Sequence, residues 1–158
     1  MPTIVSIAYK PADIESKPPD HYARVPVAEA ELVAGKGIAG DRKGTGHERH
    51  LNVMARETLD GLKVDGCETG PGEMGEQIVV SDIEIDRLPE GTRLRLGDEA
   101  VIELVKPRTG CSRLEQIQKI AIKLTTNRLG MMCRVERGGR IRVGDVVAVI
   151  AREPESTT

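Results

Sequence analysis

The chain has 158 residues, which is long enough for one domain with a substantial hydrophobic core. It contains two Tyr, no Phe and no Trp, so it lacks the aromatic side chains on which single-stranded nucleic acids stack. Its net charge of -2 provides no general attraction for phosphate groups. We therefore expect a core of aliphatic side chains and no nucleic-acid partner.

The cysteines and the N-terminal sequence indicate the cellular compartment of the protein. Cys67, Cys111 and Cys133 are odd in number and far apart, so they do not indicate a disulfide framework, and free thiols fit a reducing environment. The N-terminus lacks the basic region and the long apolar stretch of a signal peptide, and no segment approaches the length of a membrane span. We expect a cytoplasmic protein that does not interact with a membrane.

Short apolar and β-branched runs predict most of the secondary structure as strands. The turn at Gly97-Asp98 predicts a hairpin between two of them, and Arg137-Gly-Gly139 is a second hairpin signal. Many short strands with glycine turns and few helices are typical of a β-barrel-like domain, here over residues 1–151, followed by a disordered tail over 152–158. In chain order the predicted strands cover 3–8, 24–33, 51–55, 77–80 or 77–85, 92–96, 100–105, 131–135, 140–143 and 146–150.

Two helices are predicted, over 56–62 and over 112–128. In the longer one, apolar residues from Leu114 to Leu124 recur at helical spacing on one face. Ser112 followed by Glu115 resembles a capping box, which would make Ser112 the N-cap of the helix. Cys111 would then lie immediately before the positive end of the helix dipole.

Cys111 is the most informative residue of the chain. It follows a predicted strand in the stretch Val105-Lys-Pro-Arg-Thr-Gly-Cys-Ser-Arg113, where two arginines flank the thiol. Neighbouring cations favour the thiolate, which can attack an electrophile, carry sulfur or bind a soft metal. The alternative from the residues alone is a small buried core side chain.

Three other segments are rich in glycine or in charged residues. Gly35-Lys-Gly-Ile-Ala-Gly40 matches a dinucleotide-binding fingerprint, but the following residues do not start a helix, so we expect no nucleotide site. In the next segment, His47-Glu-Arg-His-Leu-Asn52, the histidine spacing is one residue short of a zinc motif, so hydrogen bonding to an anionic ligand or a plain polar loop remains open. Pro71-Gly-Glu-Met-Gly-Glu-Gln-Ile78 either lets the backbone approach a ligand or forms an acidic turn before a strand.

MOSC domains, the family named for the C-terminal part of molybdenum cofactor sulfurase, show the same order of segments as this chain: Gly37-Ile-Ala-Gly-Asp-Arg42, His47 to Asn52, Pro71 to Ile78 and the Cys111 loop. From about Gly37 to Ile150 the chain resembles a stand-alone bacterial member of this family. The resemblance implies a mixed, mainly antiparallel β-barrel. The chain departs from the family pattern at Lys43, where His is frequent, at Gly110, where Pro is frequent, and at Gln77, where the family has Asn.

The resemblance also implies chemistry with the molybdenum cofactor, a molybdenum-pterin. Cys111 would be the reactive thiol, either as a carrier of sulfane sulfur or as the ligand of molybdenum in a redox site. Basic and polar side chains would hold the pterin and its phosphate, which bidentate arginines suit. The implied cofactor-binding residues are Asp41, Arg42, Arg49, His50, Glu76, Gln77, Arg108 and Thr109.

Several alternatives remain open from the sequence. Full-length cofactor sulfurases also have a domain that binds pyridoxal phosphate, for which this chain is too short, so we expect no pyridoxal phosphate and, for sulfur transfer, a separate donor or acceptor enzyme. The same residues suit a sulfurtransferase, a molybdenum-dependent oxidoreductase or a non-catalytic carrier of the cofactor. A purely structural or protein-binding β-domain is the remaining possibility, and it predicts that loss of the Cys111 thiol has no effect.

Overall fold

A computed structural model of the protein describes residues 1–11, 20–41 and 51–150. Within these ranges the chain is mostly β, with two α-helices and two short 3-10 helices, Ile85–Arg87 and Ile122–Thr125. The α-helices are α1 (Arg56–Val64) and α2 (Ser112–Gln118). The strands are β1 (Thr3–Tyr9), β2 (Val25–Val27), β3 (Glu29–Val33), β4 (Gly37–Ile38), β5 (Leu51–Ala55), β6 (Ile78–Ser81), β7 (Arg93–Leu96), β8 (Ala100–Pro107), β9 (Met131–Arg137), β10 (Gly139–Arg142) and β11 (Val147–Ile150).

The strands form one large and one small sheet. The large sheet has the order β11-β7-β8-β9-β5-β6-β1-β2, and β10-β3-β4 form the small one. The described strand pairs are antiparallel except for β5 and β6, so the predicted mixed, mainly antiparallel arrangement is confirmed. Ile4 N–H donates to the Asp145 carbonyl at 2.9 Å, which ties β1 to the segment before β11. Closure of the described strands into a barrel stays a prediction.

The first predicted hairpin is confirmed and the second is wrong. Leu96 pairs with Ala100 across the turn at Gly97 and Asp98. By contrast, β10 pairs with β3, with Gly139 opposite Leu32, and lies in the other sheet from β9. Only Gly138 separates β9 from β10, which is too short for the two-residue turn that a tight hairpin needs. The chain therefore crosses between the sheets at this point.

The long helix predicted over 112–128 is also wrong in extent. It ends at Gln118 because Lys119 adopts a left-handed conformation (φ 58°), and a 3-10 turn follows after Ala121. The predicted cap is displaced as well: Cys111, not Ser112, is the N-cap, and no side-chain capping hydrogen bond forms. The other predicted strands differ from the observed ones mainly in their ends, although the run 24–33 is split at Ala28 into β2 and β3, and the segment beyond Ser81 is not strand.

Two hydrophobic clusters lie on opposite faces of the large sheet. The first includes Leu51 and Val53 of β5 and lies between the two sheets, where Ile141 of β10 also packs. The second includes Met54 of β5 and packs against α1, α2 and the loop before β6. Both clusters consist chiefly of aliphatic, Met and Cys side chains, as the composition predicts. No helix within the described ranges has the length and apolar character needed to cross a membrane.

Candidate functional site

An irregularity in β8 turns its last residues toward the second hydrophobic cluster. The pairing of β8 with β9 shifts register between Leu104 and Lys106, so that Leu104 pairs with Cys133 and Lys106 with Met132. Leu104 lies in the core between the sheets, and without the extra residue Lys106 would face the same way. The bulge therefore directs Lys106, and two residues later Arg108, to the opposite face.

Arg108 joins the end of β8 to the loop before β6. Its Nη1 donates to the Met74 carbonyl at 2.7 Å, and its backbone N–H donates to the Gly130 carbonyl at 3.0 Å. Its Nη2 lies 3.5 Å from the Tyr22 hydroxyl. Thr109, the next predicted site residue, is exposed. Arg108 thus belongs to a surface that the loop, Tyr22 and the start of α2 share.

Two guanidinium groups lie close to the ring of Tyr22. The Arg108 and Arg113 guanidinium carbons are 5.9 and 5.3 Å from the centre of the Tyr22 ring, within the range of cation–π attraction. Burial raises the pKa of Tyr22; the cationic Arg108 opposes this, Cys111 adds to it and Arg113 opposes it. Tyr22 was not predicted as a site residue, because no sequence signal links it to residues some 90 positions away.

Cys111 is the exposed member of the three cysteines. It follows β8 and caps α2, where its carbonyl accepts the Glu115 N–H at 3.1 Å. Cys133 is buried, as predicted, and burial raises its pKa. Cys67, predicted in a polar loop, is 4% exposed, and burial rather than its acidic neighbours is the main cause of its raised pKa. Of the three thiols, Cys111 is the one accessible for chemistry.

The loop before β6 is shaped by Glu76. Its two carboxylate oxygens accept the backbone N–H groups of Gly72 and Met74, at 2.9 and 3.1 Å. Gly75 has a φ of +83°, and a Cβ there would lie 2.9 Å from Arg108 Nη2 and 3.0 Å from Tyr22 Cζ. Only glycine allows this close approach. Glu76 thus holds the loop against Arg108 and Tyr22, and direct contact of Glu76 with a cofactor stays a prediction.

Below pH 4.5 the Glu76→Gln variant should be less stable than the wild type by about 1 to 3 kcal/mol, because the amide NH2 that replaces one oxygen cannot accept a loop N–H, whereas both oxygens of a protonated carboxyl group still can. Burial raises the pKa of Glu76 above its ordinary value of 4.5. The protonated side chain therefore stabilises the folded state below pH 4.5, and this stabilisation is lost as pH rises through the raised pKa. The stability difference between wild type and Glu76→Gln should therefore shrink as pH rises. Urea unfolding of both proteins from about pH 4 to about pH 8 measures it, and a difference that grows with pH would contradict this account.

Gln77 and Asp41, both predicted site residues, contact each other. Gln77 Nε2 donates to Asp41 at 3.3 Å, and Gln77 Oε1 accepts the Asn52 N–H at 2.7 Å. Asp41 also accepts the Lys10 N–H at 3.0 Å. The longer Gln side chain therefore bridges Asp41 to strand β5. The predicted residues Arg42, Arg49 and His50, with Lys43 and His47, lie outside the described residues.

Two polar residues near this bridge were not predicted. Arg24 donates through Nε and Nη2 to the Gly75 carbonyl at 3.1 and 3.0 Å, while its buried Nη1 has no hydrogen-bond partner in the described part of the chain. Burial lowers the pKa of Arg24, and Asp41 opposes that effect. Asn52 is 2% exposed, within an otherwise apolar strand. A lone amide in the run Leu51-Asn-Val-Met-Ala55 was the signal available in the sequence.

A family model matches this chain, and solved structures share its fold. The family described as the MOSC domain matches residues 40–148. Among solved structures, YiiM from Geobacillus stearothermophilus is 22% identical with a TM-score of 0.73 and covers 99% of this chain and 78% of its own. YiiM from Escherichia coli (18%, TM-score 0.70, 97% and 72%) and the YuaD protein from Bacillus subtilis (16%, TM-score 0.70, 93% and 94%) are also similar. At these identities the structures show the fold alone, and no curated protein matches the chain.

Proposed function

Because the chain belongs to the MOSC domain family, we propose that it binds a molybdenum-pterin cofactor in the cytoplasm and uses the Cys111 thiolate there. The observation that carries the proposal is the position of Cys111, an exposed thiol between β8 and α2. The guanidinium groups of Arg108 and Arg113, on the same segment of the chain, both lie close to the Tyr22 ring. A thiolate is a soft ligand that suits molybdenum, and arginines suit the phosphate of the pterin.

The residues present fit such a cofactor. Arg24 Nη1 and the Asn52 amide are buried polar groups without hydrogen-bond partners in the described residues, which is the condition expected of groups that a ligand completes. Cys111 would hold the metal. The bound metal would supply redox chemistry, for example toward N-hydroxylated compounds. Asp41, Gln77, Arg108 and Thr109 would orient the pterin, together with Arg42, Arg49 and His50, while Glu76 keeps the loop in place.

Sulfur transfer at the same thiol is the second version of this function. The Cys111 thiolate would attack the outer sulfur of a donor persulfide, form a persulfide on Cys111 and release the donor as a thiolate. The exposed position of Cys111 supports this version, because a partner protein has to reach the sulfur. The donor and the acceptor would be separate enzymes.

A non-catalytic cofactor carrier is the alternative function. An exposed metal-binding thiol also suits hand-over to another protein. Turnover separates the two: a carrier exchanges the cofactor with an acceptor but reduces no substrate.

The proposed function is tested by the cofactor content of the wild-type protein, purified from a host that makes the molybdenum cofactor and from a host that does not. We expect near-stoichiometric molybdenum and pterin only from the first host. A mass increase of one sulfur atom on Cys111, without molybdenum, would favour sulfur carriage. Neither cofactor nor persulfide in protein from the first host would overturn both versions.

A further inference from the structure

The side chain of Asn52 is a buried amide. The residue is 2% exposed, and within the described residues neither Oδ1 nor Nδ2 forms a hydrogen bond. A buried amide in this state lowers the stability of the folded chain, since it loses hydrogen bonds to water and gains none. Met54, on the same face of β5, lies in an apolar cluster, so we expect an apolar residue to pack better at this position.

Strand alternation places Asn52 on the face that carries the site. Leu51 and Val53 lie in the cluster between the sheets, whereas Met54 lies in the opposite cluster, together with Met74 and Tyr22. Asn52 therefore shares the face of Met54.

The strand register connects Asn52 to Arg108 across that face. Asn52 pairs with Met132, and Met132 pairs with Lys106, so the three residues form one row across β5, β9 and β8. Arg108 follows Lys106 by two residues and reaches the same face, where it contacts Met74 and Tyr22.

The backbone of Asn52 is part of the predicted site already. Its N–H donates to Gln77 Oε1, and Gln77 in turn donates to Asp41. A ligand that engages the side chain of Gln77 or Asp41 therefore comes close to Asn52.

We propose that the Asn52 carboxamide is a ligand-binding group of this site and forms a paired donor and acceptor hydrogen bond with the amide- or amidine-type edge of a bound pterin. A carboxamide offers N–H donors and a carbonyl acceptor in one plane, which complements such an edge. The inference rests on the proposed function and makes β5 one of the elements that form the pterin site. It explains why an unpartnered amide is retained in an apolar strand.

The test compares two buried amides that differ in their partners. Gln118 is 6% exposed, and its side chain accepts the Glu68 N–H at 2.8 Å and donates to the Glu68 and Glu73 carbonyls at 3.0 and 2.9 Å. We expect Asn52→Leu, which keeps a similar shape, to raise the Tm of the cofactor-free protein. We expect Gln118→Leu to lower it. Asn52→Leu should bind the pterin at least about tenfold more weakly than the wild type, since it loses a paired hydrogen-bonded contact, so its pterin content after purification from a cofactor-making host should be clearly lower.

The outcomes separate the inference from the proposed function. Full pterin content in Asn52→Leu, beside a loaded wild type, overturns the role of Asn52 and leaves the proposed function standing. A lower Tm of cofactor-free Asn52→Leu overturns the inference as well, because the amide would then be structural. A wild type without pterin overturns cofactor binding, the first version of the proposed function, and with it the pterin contact. Low pterin with a raised Tm supports both.

Discussion

Cys111→Ser should remove the bound molybdenum almost completely while leaving the fold intact. Cys111 is exposed, and as the N-cap of α2 it makes no side-chain capping hydrogen bond, so the substitution removes neither a buried side chain nor a cap. Serine is a favoured N-cap residue, which makes a loss of stability unexpected. A hydroxyl is a much harder ligand than a thiolate, so it does not replace sulfur on a soft metal. Metal content by mass spectrometry, beside Tm, measures both effects.

Cys67→Ser is the matched control for the loss of a thiol. Cys67 is buried in the second hydrophobic cluster, whereas Cys111 is exposed, so this variant should keep its molybdenum. Thiol labelling of the folded cofactor-free wild type should modify Cys111 quickly and the two buried cysteines slowly. Undiminished molybdenum in Cys111→Ser would show that the metal is held elsewhere.

Gly130→Ala should destabilise the protein severely for the addition of a single methyl group, by about 3 kcal/mol or more. Gly130 precedes β9 with a φ of +76°, and an added Cβ would clash with the backbone carbonyl of Val53 and lie 2.9 Å from Met54 Cγ. A backbone oxygen inside a sheet cannot move away as the end of a flexible side chain can. The carbonyl of Gly130 also accepts the Arg108 N–H, so the site should be disturbed together with the fold.

Gly35→Ala separates the effect of space from that of conformation. Gly35 has a φ of +75°, almost the same as Gly130, but an added Cβ meets nothing within 4 Å. The free energy of unfolding of this variant should therefore fall only by the cost of a positive φ for alanine, about 1 kcal/mol. Urea unfolding of both variants measures the difference, and equal losses would show that the contact with Val53 is relieved by a small backbone movement.

The strands were predictable because their signals are local. The alternation of residues in 92–96 and the turn at Gly97 define β7, β8 and their hairpin within a dozen residues. Strand β5 was predicted with its observed ends, since an apolar run there is followed directly by a helical segment. The position of Cys111 between a strand and a helix was visible for the same reason.

The errors concern contacts between distant segments. The helical spacing of Leu114 to Leu124 predicts a long helix, but Gln118 bonds to the backbone of Glu68 and Glu73 and the chain turns at Lys119. The hairpin signal at Gly138 was equally local, and the pairing with β3 that replaces it joins residues more than 100 positions apart.

The family, the β-rich class and the candidate thiol follow from the order of the residues alone, because they are carried by ordered motifs, local periodicity and residue type. Three other features are determined only by the tertiary structure. They are the exposure of one thiol, the contact of both Arg108 and Arg113 with the Tyr22 ring, and the burial of the Asn52 amide without hydrogen-bond partners in the described residues. Burial and hydrogen-bond partners depend on which segments pack together, and no local pattern of residues specifies that packing.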